Sequence, residues 1–466
     1  MPTENKGRSG LLHELMQPVD ITSVVAFRIL FGALMLASVV RFWAYGWIRE
    51  IYIAPPFHFH WLGFSWVSPW PGAGMYVHFA VLGLASACIM LGLFYRLATI
   101  VFFLSFTYVE LIEKATYLNH YYLISLLGML LMFMPLHRAA ALDAWRDPRL
   151  RSDYVPAWVL WILRFQVGVV YFFAGVAKLG PDWLLRGEPL GIWLAAHTDI
   201  PLIGPWLAQH WVAMFASYFG AIFDLFVVFF LLRPRTRPYA YAVVVAFHTI
   251  TGLLFPIGVF PWVMTGAALI FFPPDWPRQL LAKLSRGPAW ITPALRQEKS
   301  NLAPGNPAIS PLQRLGFALL AVHVALQLAL PMRRFLYPGN TAWTEEGFRF
   351  AWRVMLVEKL GYVDYRVRDK STGRTVILNP ARYLSPLQVK QMAQSPDMIL
   401  EFAQYIAAEE RKNGREVEVR ADAYVTLNGR PSKRIIDPDT NLAIEKDSLL
   451  PRPWILPLED EPRPQS

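Results

Sequence analysis

A series of long apolar segments limits the possible folds of this chain more than any other feature. Nine runs approach or exceed the length that a helix needs to cross about 30 Å of hydrocarbon: Ile21–Val40, Met75–Leu93, Leu97–Ile112, Tyr121–Leu136, Ala157–Ala177, Pro205–Leu232, Tyr239–Phe255, Ile257–Phe272 and Leu315–Leu330. Two of them are short, so the pattern predicts eight or nine transmembrane helices. Charged residues make up 17% of the chain, well below the ~25% that is usual for soluble domains. The predicted fold is therefore an all-α polytopic membrane bundle.

The composition changes after the last apolar run, where charged residues become frequent and short alternating segments replace the long apolar ones. The pattern predicts two hairpins and an intervening helix, over Val363–Arg368, Arg374–Leu378, Leu387–Lys412, Glu416–Leu427 and Ser432–Ile436. We therefore expect three parts: an N-terminal cytoplasmic tail (1–18), a membrane bundle (19–331) with a basic cytoplasmic linker (273–311), and a small C-terminal extramembrane α/β domain (332–466).

The lysines and arginines of the loops predict the orientation of the bundle, because cytoplasmic loops are enriched in these residues. If the N-terminus is cytoplasmic, nine helices leave the outer loops with little positive charge beyond Arg49, Lys114 and Arg186. The C-terminal domain is then periplasmic, in a bacterial inner membrane. This topology explains much of the excess positive charge behind the net charge of +10, so the expected partner is the lipid bilayer and not nucleic acid.

The sequence gives no sign of a metal site. The single cysteine, Cys88, lies in an apolar run, which excludes an intramolecular disulfide and a zinc thiolate cluster. Metal-ligand spacings, a glycine-rich phosphate loop and a serine-nucleophile elbow are all missing. Any chemistry is therefore expected from isolated polar side chains of the bundle.

The most informative of these side chains is Lys178, in the segment Tyr171–Trp183 (YFFAGVAKLGPDW). Gly180 and Pro181 end the preceding apolar helix, which places Lys178 in the last turn, near the lipid–water boundary. An ammonium group there usually snorkels to water, but it can also pair or titrate. A second polar cluster, Glu113–His120 (EKATYLNH), lies at helix ends on the same side. The two clusters are thus placed to share one cavity.

Further polar residues inside the apolar runs usually face the bundle interior. Asp224 is most simply interpreted as the partner of an arginine. His248 is followed by Thr249–Gly252 and Pro256, which loosen a helix. It either lines a cavity or is a satisfied core histidine.

Seven blocks of the sequence are similar to blocks of one protein family. They are LGLFYRLATIVFFL (Leu91–Leu104), EKATYLNHYYL (Glu113–Leu123), FFAGVAKLGPDW (Phe172–Trp183), SPLQRLGF (Ser310–Phe317) at the entry to the last span, FRFAWRVMLVEK (Phe348–Lys359), LNP (Leu378–Pro380) and IIDP (Ile435–Pro438). In this order they resemble the vitamin K-dependent γ-glutamyl carboxylase family, in its bacterial branch with a horizontally transferred transmembrane (HTTM) domain. The family's catalytic lysine corresponds to Lys178, and its asparagine–histidine pair corresponds to Asn119 and His120. The lysine that usually precedes the catalytic one is Ala177 here.

The resemblance implies a lyase-type carboxylase that also has quinol epoxidase activity. Reduced vitamin K, of the menaquinol or phylloquinol type, reacts with O2 and leaves as the 2,3-epoxide. This reaction generates a base strong enough to remove a γ-proton from glutamate in a peptide or protein, and CO2 then captures the carbanion. No metal takes part. The implied catalytic residues are Lys178 and His120, and the quinol is expected to contact Tyr117, Asn119, His120 and His248.

Elementary electrostatics agrees with a base at Lys178. A lysine of ordinary pKa, ~10.4, is protonated at neutral pH, but burial near the lipid boundary favours the neutral amine and lowers the pKa. A neutral amine can take a phenolic proton. His120 and Asn119 supply donors for a quinol oxygen or an oxyanion, and the isoprenoid tail needs an apolar slot that opens to lipid.

The segment after the last apolar run is the expected binding site of the glutamyl substrate. Flat apolar surfaces and charge-assisted pairing to a carboxylate are expected from Trp343, Phe350, Trp352, Arg349 and Arg353. The alternative is an interfacial aromatic belt, with arginines that pair with Glu345, Glu346 or Glu358.

Two other functions stay open at this point. One is a quinone-linked membrane oxidoreductase or epoxidase that does not carboxylate. The other is a non-catalytic membrane scaffold or a transporter. Transport would predict inverted repeats with interrupted helices in matched halves, and the sequence shows none.

Overall fold

The computed structural model describes residues 10–255, 257–284 and 310–458. The predicted tail (1–18) and linker (273–311) lie partly outside these ranges. Each of the nine apolar runs contains a helix. The helices before the C-terminal domain are α1 (Leu11–Met16), α2 (Thr22–Ala44), α3 (Gly74–Leu91), α4 (Tyr95–Ile112), α5 (Asn119–Phe133), α6 (Leu142–Arg146), α7 (Ala157–Ala177), α8 (Pro181–Arg186), α9 (Leu190–Ala195), α10 (Gly204–Leu207), α11 (His210–Leu232), α12 (Arg237–Leu254), α13 (Phe260–Ala268), α14 (Trp276–Leu284), α15 (Pro311–Met332) and α16 (Thr341–Thr344).

Six helices of the described ranges are long and apolar enough to cross a membrane: α2, α3, α4, α7, α11 and the stretch Pro311–Leu336, which begins with α15. The apolar helices α5 and Phe260–Phe271 are shorter. The chain is thus a mostly helical, multi-pass membrane protein. The number of eight or nine spans stays a prediction.

Two glycines of α7 allow it to pack closely against α11. A Cβ atom on Gly175 would lie 2.6 Å from the backbone nitrogen of Leu225, and one on Gly168 would lie 3.3 Å from a side chain of α11. Small residues permit this close approach between membrane helices. The contact brings the C-terminal end of α7, with Lys178, against the part of α11 that contains Asp224.

Two arginines inside the bundle bind carbonyl groups near helix ends and not acidic residues. Arg28 donates to the carbonyl oxygens of Leu136 at 2.8 Å and Ala140 at 2.6 Å. Arg164 donates to the carbonyl oxygen of Ile270 at 3.0 Å. Backbone carbonyls at helix ends lack partners within the helix, so these guanidinium groups satisfy them.

In the part of the chain that the structure describes, six strands form two antiparallel sheets. β1 (Pro18–Asp20) pairs with β2 (Tyr154–Pro156) beside the start of α2 and α7. The second sheet, in the C-terminal domain, has the order β4–β3–β5–β6 and consists of β3 (Lys359–Asp369), β4 (Thr375–Leu378), β5 (Val417–Leu427) and β6 (Lys433–Arg434). Its β3–β4 and β5–β6 pairs confirm both predicted hairpins.

The predicted helix Leu387–Lys412 is two helices, α17 (Pro386–Met392) and α18 (Pro396–Lys412). The first helix ends before Pro396 because proline has no N–H to continue it. α18 packs against β5, whose alternate residues are buried. Phe57 and Phe59, from the connection between α2 and α3, join this hydrophobic core. The C-terminal domain is therefore packed directly on the outer loops of the bundle.

Candidate functional site

Lys178 is buried at the end of α7 and forms an ion pair with Asp224 of α11. Its Nζ lies 2.7 Å from Oδ2 of Asp224 and 5.1 Å from the ring centroid of Trp183. The lysine is only 4% exposed, so it does not snorkel to water. Lys178 is therefore paired, and the partner of Asp224 is a lysine and not an arginine.

The Lys178–Asp224 pair faces a cavity of about 450 Å³, which we call the lysine cavity. Tyr171 and His248 also line it, and most of its remaining wall is aliphatic or aromatic. At its outer edge lie Phe215 of α11 and Ile250 of α12, which are 66% and 55% exposed on the apolar exterior of the bundle. An apolar slot thus connects the ion pair with the region expected to be lipid.

His248 adds a second polar group to the lysine cavity. The hydroxyl of Tyr171 lies 2.8 Å from Nε2 of His248. Nδ1 of the same ring is buried and has no hydrogen-bond partner in the described part of the chain. Since the tautomer decides whether this nitrogen donates or accepts, His248 offers one unused ring nitrogen to an oxygen of a ligand in either case.

A second cavity of about 850 Å³, which we call the polar cavity, lies between the outer loops of the bundle and the segment 345–359. Charged side chains make up much of its wall: Arg41, Lys114, Glu345, Arg349, Arg353, Glu358, Lys359 and Lys390. Three sequence-predicted site residues, Tyr117, Asn119 and His120, line this cavity and not the lysine cavity.

Hydrogen bonds to the segment 350–353 fix Tyr117 and Asn119. The hydroxyl of Tyr117 accepts from the backbone N–H of Phe350 at 2.7 Å and donates to Oδ1 of Asn119 at 3.2 Å. Nδ2 of Asn119 donates to the carbonyl oxygen of Arg353 at 3.1 Å. The polar cavity is thus held together by the start of α5 and by the chain that follows the last membrane helix.

The two cavities adjoin at Phe260. The ring centroid of Phe260 lies 5.6 Å from that of His120 and 6.1 Å from that of His248. Four residues line both cavities: Ile257, Phe260, Val354 and Met355. The two polar clusters of the sequence therefore lie on either side of one thin wall, where a single shared cavity was expected.

Two of the three aromatic residues proposed to face a substrate are core residues. Trp343 and Trp352 are 0% exposed, so the prediction that they offer flat surfaces is wrong. Nε1 of Trp343 donates to the carbonyl oxygen of Leu456 at 2.8 Å, and Trp352 stacks on Tyr122 with ring centroids 5.0 Å apart. Nε1 of Trp352, in contrast, is buried without a hydrogen-bond partner among the described residues, so its aromatic packing holds this ring. Phe350 packs against the same Tyr122 at 4.9 Å.

The two arginines of this segment differ in their surroundings. Arg349 lies 2.7 Å from Asp397 and 3.2 Å from Glu345, and although burial opposes the charge, these carboxylates raise the pKa of Arg349. Nε and Nη1 of Arg353 are buried without a hydrogen-bond partner among the described residues. Burial, together with the nearby Arg334, lowers the pKa of Arg353 to about 10. Arg349 is therefore held by two carboxylates, while Arg353 is charged at neutral pH and has two nitrogen atoms without a partner among the described residues.

Sequence analysis missed the importance of Asp224. A lone aspartate within a 23-residue apolar helix is costly unless it is paired. Lys178 has the same need at the end of another helix. The signal was therefore present in the sequence, but it did not say which basic residue is the partner.

Among residues 10–255, 257–284 and 310–458, no group of three or more histidine, cysteine, aspartate or glutamate side chains is placed to hold a metal ion.

Fold and site together define a multi-pass membrane protein with a charged pair in an apolar cavity and an α/β domain that covers its outer end. Two family models match the chain: the HTTM domain over residues 16–276, and the lumenal domain of vitamin K-dependent gamma-carboxylase over residues 312–461. The first match alone covers more than half of the 466 residues. The chain belongs to the vitamin K-dependent gamma-carboxylase family, which confirms the resemblance found in the sequence. No solved structure gives a significant match.

Proposed function

We propose that the protein couples the oxidation of a reduced vitamin K-type quinol by O2, which gives the 2,3-epoxide, to γ-carboxylation of glutamate in a peptide or protein. The observation that carries this proposal is the buried Lys178–Asp224 pair, 2.7 Å apart, in an apolar cavity with an outer edge on the exterior of the bundle. The family gives the reaction class. The geometry gives the residues that would perform it.

The lysine cavity fits a quinol with an isoprenoid tail. Its volume of about 450 Å³ lies within the ~300–1,000 Å³ range of small-molecule sites. Lys178 and His248 offer polar contacts to hydroxyl groups, while Phe215 and Ile250 offer an apolar exit for the tail. When bound, the quinol and O2 together supply the strong base that takes the γ-proton of glutamate.

Lys178 and Asp224 would take the quinol's hydroxyl proton as a pair. The ammonium first passes one proton from Nζ to Oδ2 of Asp224, which leaves an amine beside a carboxylic acid. The amine then accepts the hydroxyl proton. One proton has entered the pair at the end, and the ammonium is restored beside a neutral acid. A positioned base of this kind contributes about 10²–10⁴-fold to rate.

The polar cavity would hold the glutamyl side chain on the other side of the Phe260 wall. Arg353 can bind its carboxylate through the buried N–H groups that have no partner in the described residues. Asn119, which donates to the carbonyl oxygen of Arg353, and His120, on the wall of the same cavity, would stabilise negative charge that develops during the reaction. In this arrangement the carboxylate would stay on Arg353 in the polar cavity, and the γ-C–H group would meet the quinol-derived base at the wall that both cavities share, formed by Ile257, Phe260, Val354 and Met355.

The test uses purified protein in lipid nanodiscs with reduced vitamin K, O2, labelled CO2 and a glutamate-containing peptide. We expect epoxide and peptide-bound label in equal amounts, and no label in a peptide with glutamine in place of glutamate. Epoxide without any label would favour the quinone-linked epoxidase that does not carboxylate. The absence of both epoxide and label would contradict the proposal.

A further inference from the structure

Arg41, near the end of α2, is a second cationic group of the polar cavity that no step above uses. Its guanidinium carbon lies 5.2 Å from the ring centroid of Trp47. A Cβ atom on Gly258 would lie 3.4 Å from its Nη2, so the guanidinium approaches this glycine closely. Nε of Arg41 is buried and has no hydrogen-bond partner within the described ranges.

Most other buried cations of the polar cavity are neutralised by carboxylates. Lys114 lies 3.1 Å from Asp397 and 3.0 Å from Glu401. Lys359 lies 3.3 Å from Glu345. Arg349 shares Asp397 and Glu345, as described above. Arg41 and Arg353 differ from them because neither makes an ion pair among residues 10–255, 257–284 and 310–458.

The two arginines that make no ion pair in the described residues line the polar cavity together with Asn119 and His120 at the start of α5. Arg353 is joined to Asn119 through the hydrogen bond of its carbonyl oxygen at 3.1 Å. Arg41 makes a side-chain hydrogen bond with Tyr121 and interacts electrostatically with His120, the next residues of the helix, but neither of them is a carboxylate. Two positive charges without a carboxylate partner in the described residues therefore line one concave space of about 850 Å³, and opposite charge is attracted strongly to such a space.

We propose that Arg41 is a second carboxylate-binding group, so that the polar cavity recognises a geminal dicarboxylate with one carboxylate on Arg353 and the other on Arg41. This inference rests on the proposed function, whose product has that chemistry. After the γ-carbon loses its proton, its electron pair forms a bond to the carbon of CO2. One C=O electron pair moves to oxygen, and a second carboxylate stands on the same carbon. The substrate glutamate has one γ-carboxylate and would use Arg353 alone, whereas the product has two carboxylates on that carbon and would use Arg41 as well.

The test is calorimetric titration of the full-length protein in detergent, without quinol or peptide, with malonate, acetate and inorganic phosphate as probes. We expect malonate to bind at least about tenfold more tightly than acetate, because a second charge-assisted hydrogen bond is worth about that factor. Arg41→Gln should remove this advantage and leave acetate affinity within about twofold. Arg41→Lys, which keeps the charge, should retain part of it. Arg49→Gln, a change in an exposed outer arginine, is the matched control and should change nothing.

Malonate that binds no more tightly than acetate to the unaltered protein would overturn the inference without any need for a variant. Phosphate that binds as tightly as malonate would also overturn it, since the site would then be a general anion site. An Arg41→Gln protein with lower thermal stability but an unchanged malonate-to-acetate ratio would make Arg41 structural. Because no turnover is involved, these failures are distinct from a failure of carboxylation in the labelled-CO2 assay.

Discussion

At the scale of single residues, the Lys178–Asp224 pair raises the question of why a membrane bundle keeps two buried charges. Removing two charges from water costs several kcal/mol per ion, and apolar replacement of a buried pair is often neutral or stabilising. Stability is therefore a weak reason for the pair. Its position at the wall of a cavity, 2.7 Å apart and almost fully buried, agrees better with a role in proton transfer.

A double-mutant cycle separates the two roles. Lys178→Met or Asp224→Met alone leaves one uncompensated buried charge, so we expect each to lower stability by about 3–5 kcal/mol. The double change to methionine should restore most of that stability, measured by thermal unfolding in detergent. Quinol epoxidation should be lost in all three variants. An active double variant would mean that the pair is structural.

Arg353 is the residue proposed to bind the glutamyl substrate. Arg353→Gln removes a charge-assisted hydrogen bond, so the KM for a glutamate peptide should rise about ten- to a hundredfold. Peptide-dependent carboxylation should fall more than epoxidation without peptide. Arg368→Gln, an exposed arginine of the same domain, serves as the control. Equal losses in both assays would show that Arg353 only supports the fold.

Sequence could identify Lys178 because local signals are sufficient there: an apolar run, a lysine, and the helix-ending Gly180 and Pro181. It could not identify Asp224 as the partner, because the two residues are 46 positions apart and no local pattern encodes that contact. The prediction for Trp343 was wrong for a related reason. An aromatic residue that follows a membrane helix in the sequence can be a surface residue or a core residue, and only its contacts in the folded C-terminal domain show which it is.

At the scale of elements, the loop between α4 and α5 is the joint between the bundle and the C-terminal domain. Lys114 of this loop lies 3.1 Å from Asp397 of α18. A second joint lies at α8, where Asp182 is 2.6 Å from Arg430 and accepts from Asn428 at 2.9 Å. Both of these contacts lie near the two cavities, so the C-terminal domain helps to shape the polar cavity.

Asp397→Asn tests the first joint. Burial opposes ionisation of Asp397, but Arg349 and Lys114 outweigh it and hold its pKa well below the ordinary value. A depressed carboxyl pKa adds stability that is fully present above the unfolded value, ~3.9, and is lost as pH falls through the folded value. The unaltered protein should therefore be more stable than the variant from pH 7 to 5, and the gap should narrow below about pH 4.

Thermal unfolding at pH 7, 5 and 3.5 measures this gap, and Asp439→Asn, at an exposed position, is the control. A gap that stays constant down to pH 3.5 would contradict the assigned pKa direction.

The bounds of helices and strands could be predicted where turn-forming residues mark them in the sequence. The hairpins around Ser371–Gly373 and Asn428–Gly429 were predicted within a few residues. The break between α17 and α18 was overlooked, although Ser395–Pro396 marks it in the sequence, because the apolar periodicity on either side is continuous enough to mimic one helix.

At the scale of the whole molecule, the positive charges of the loops make the topology testable. With the N-terminus cytoplasmic and nine spans, an alkaline phosphatase fusion after Leu330 should be active and one after Leu232 should be inactive. A green fluorescent protein fusion at each site should give the reverse pattern. An inactive phosphatase after Leu330 would contradict the predicted orientation.

The division of the site into two cavities is a property of the whole molecule that the sequence does not contain. Phe260 lies between His120 of α5 and His248 of α12. It belongs to α13, which follows α12 directly but is far in sequence from α5. The segment 350–353 closes the polar cavity from beyond the last membrane helix. Such an arrangement depends on how four or more separate elements pack, whereas the sequence patterns describe one element at a time.

The most direct test of the central claim is oxygen-dependent formation of vitamin K epoxide by purified protein and by its Lys178→Ala variant. We expect epoxide formation by the unaltered protein and a loss of about 10²–10⁴-fold in the variant. A small primary amine should restore part of the activity, since it can occupy the space that Nζ leaves beside Asp224. Full epoxidation by Lys178→Ala without added amine would contradict the role of Lys178 as the base.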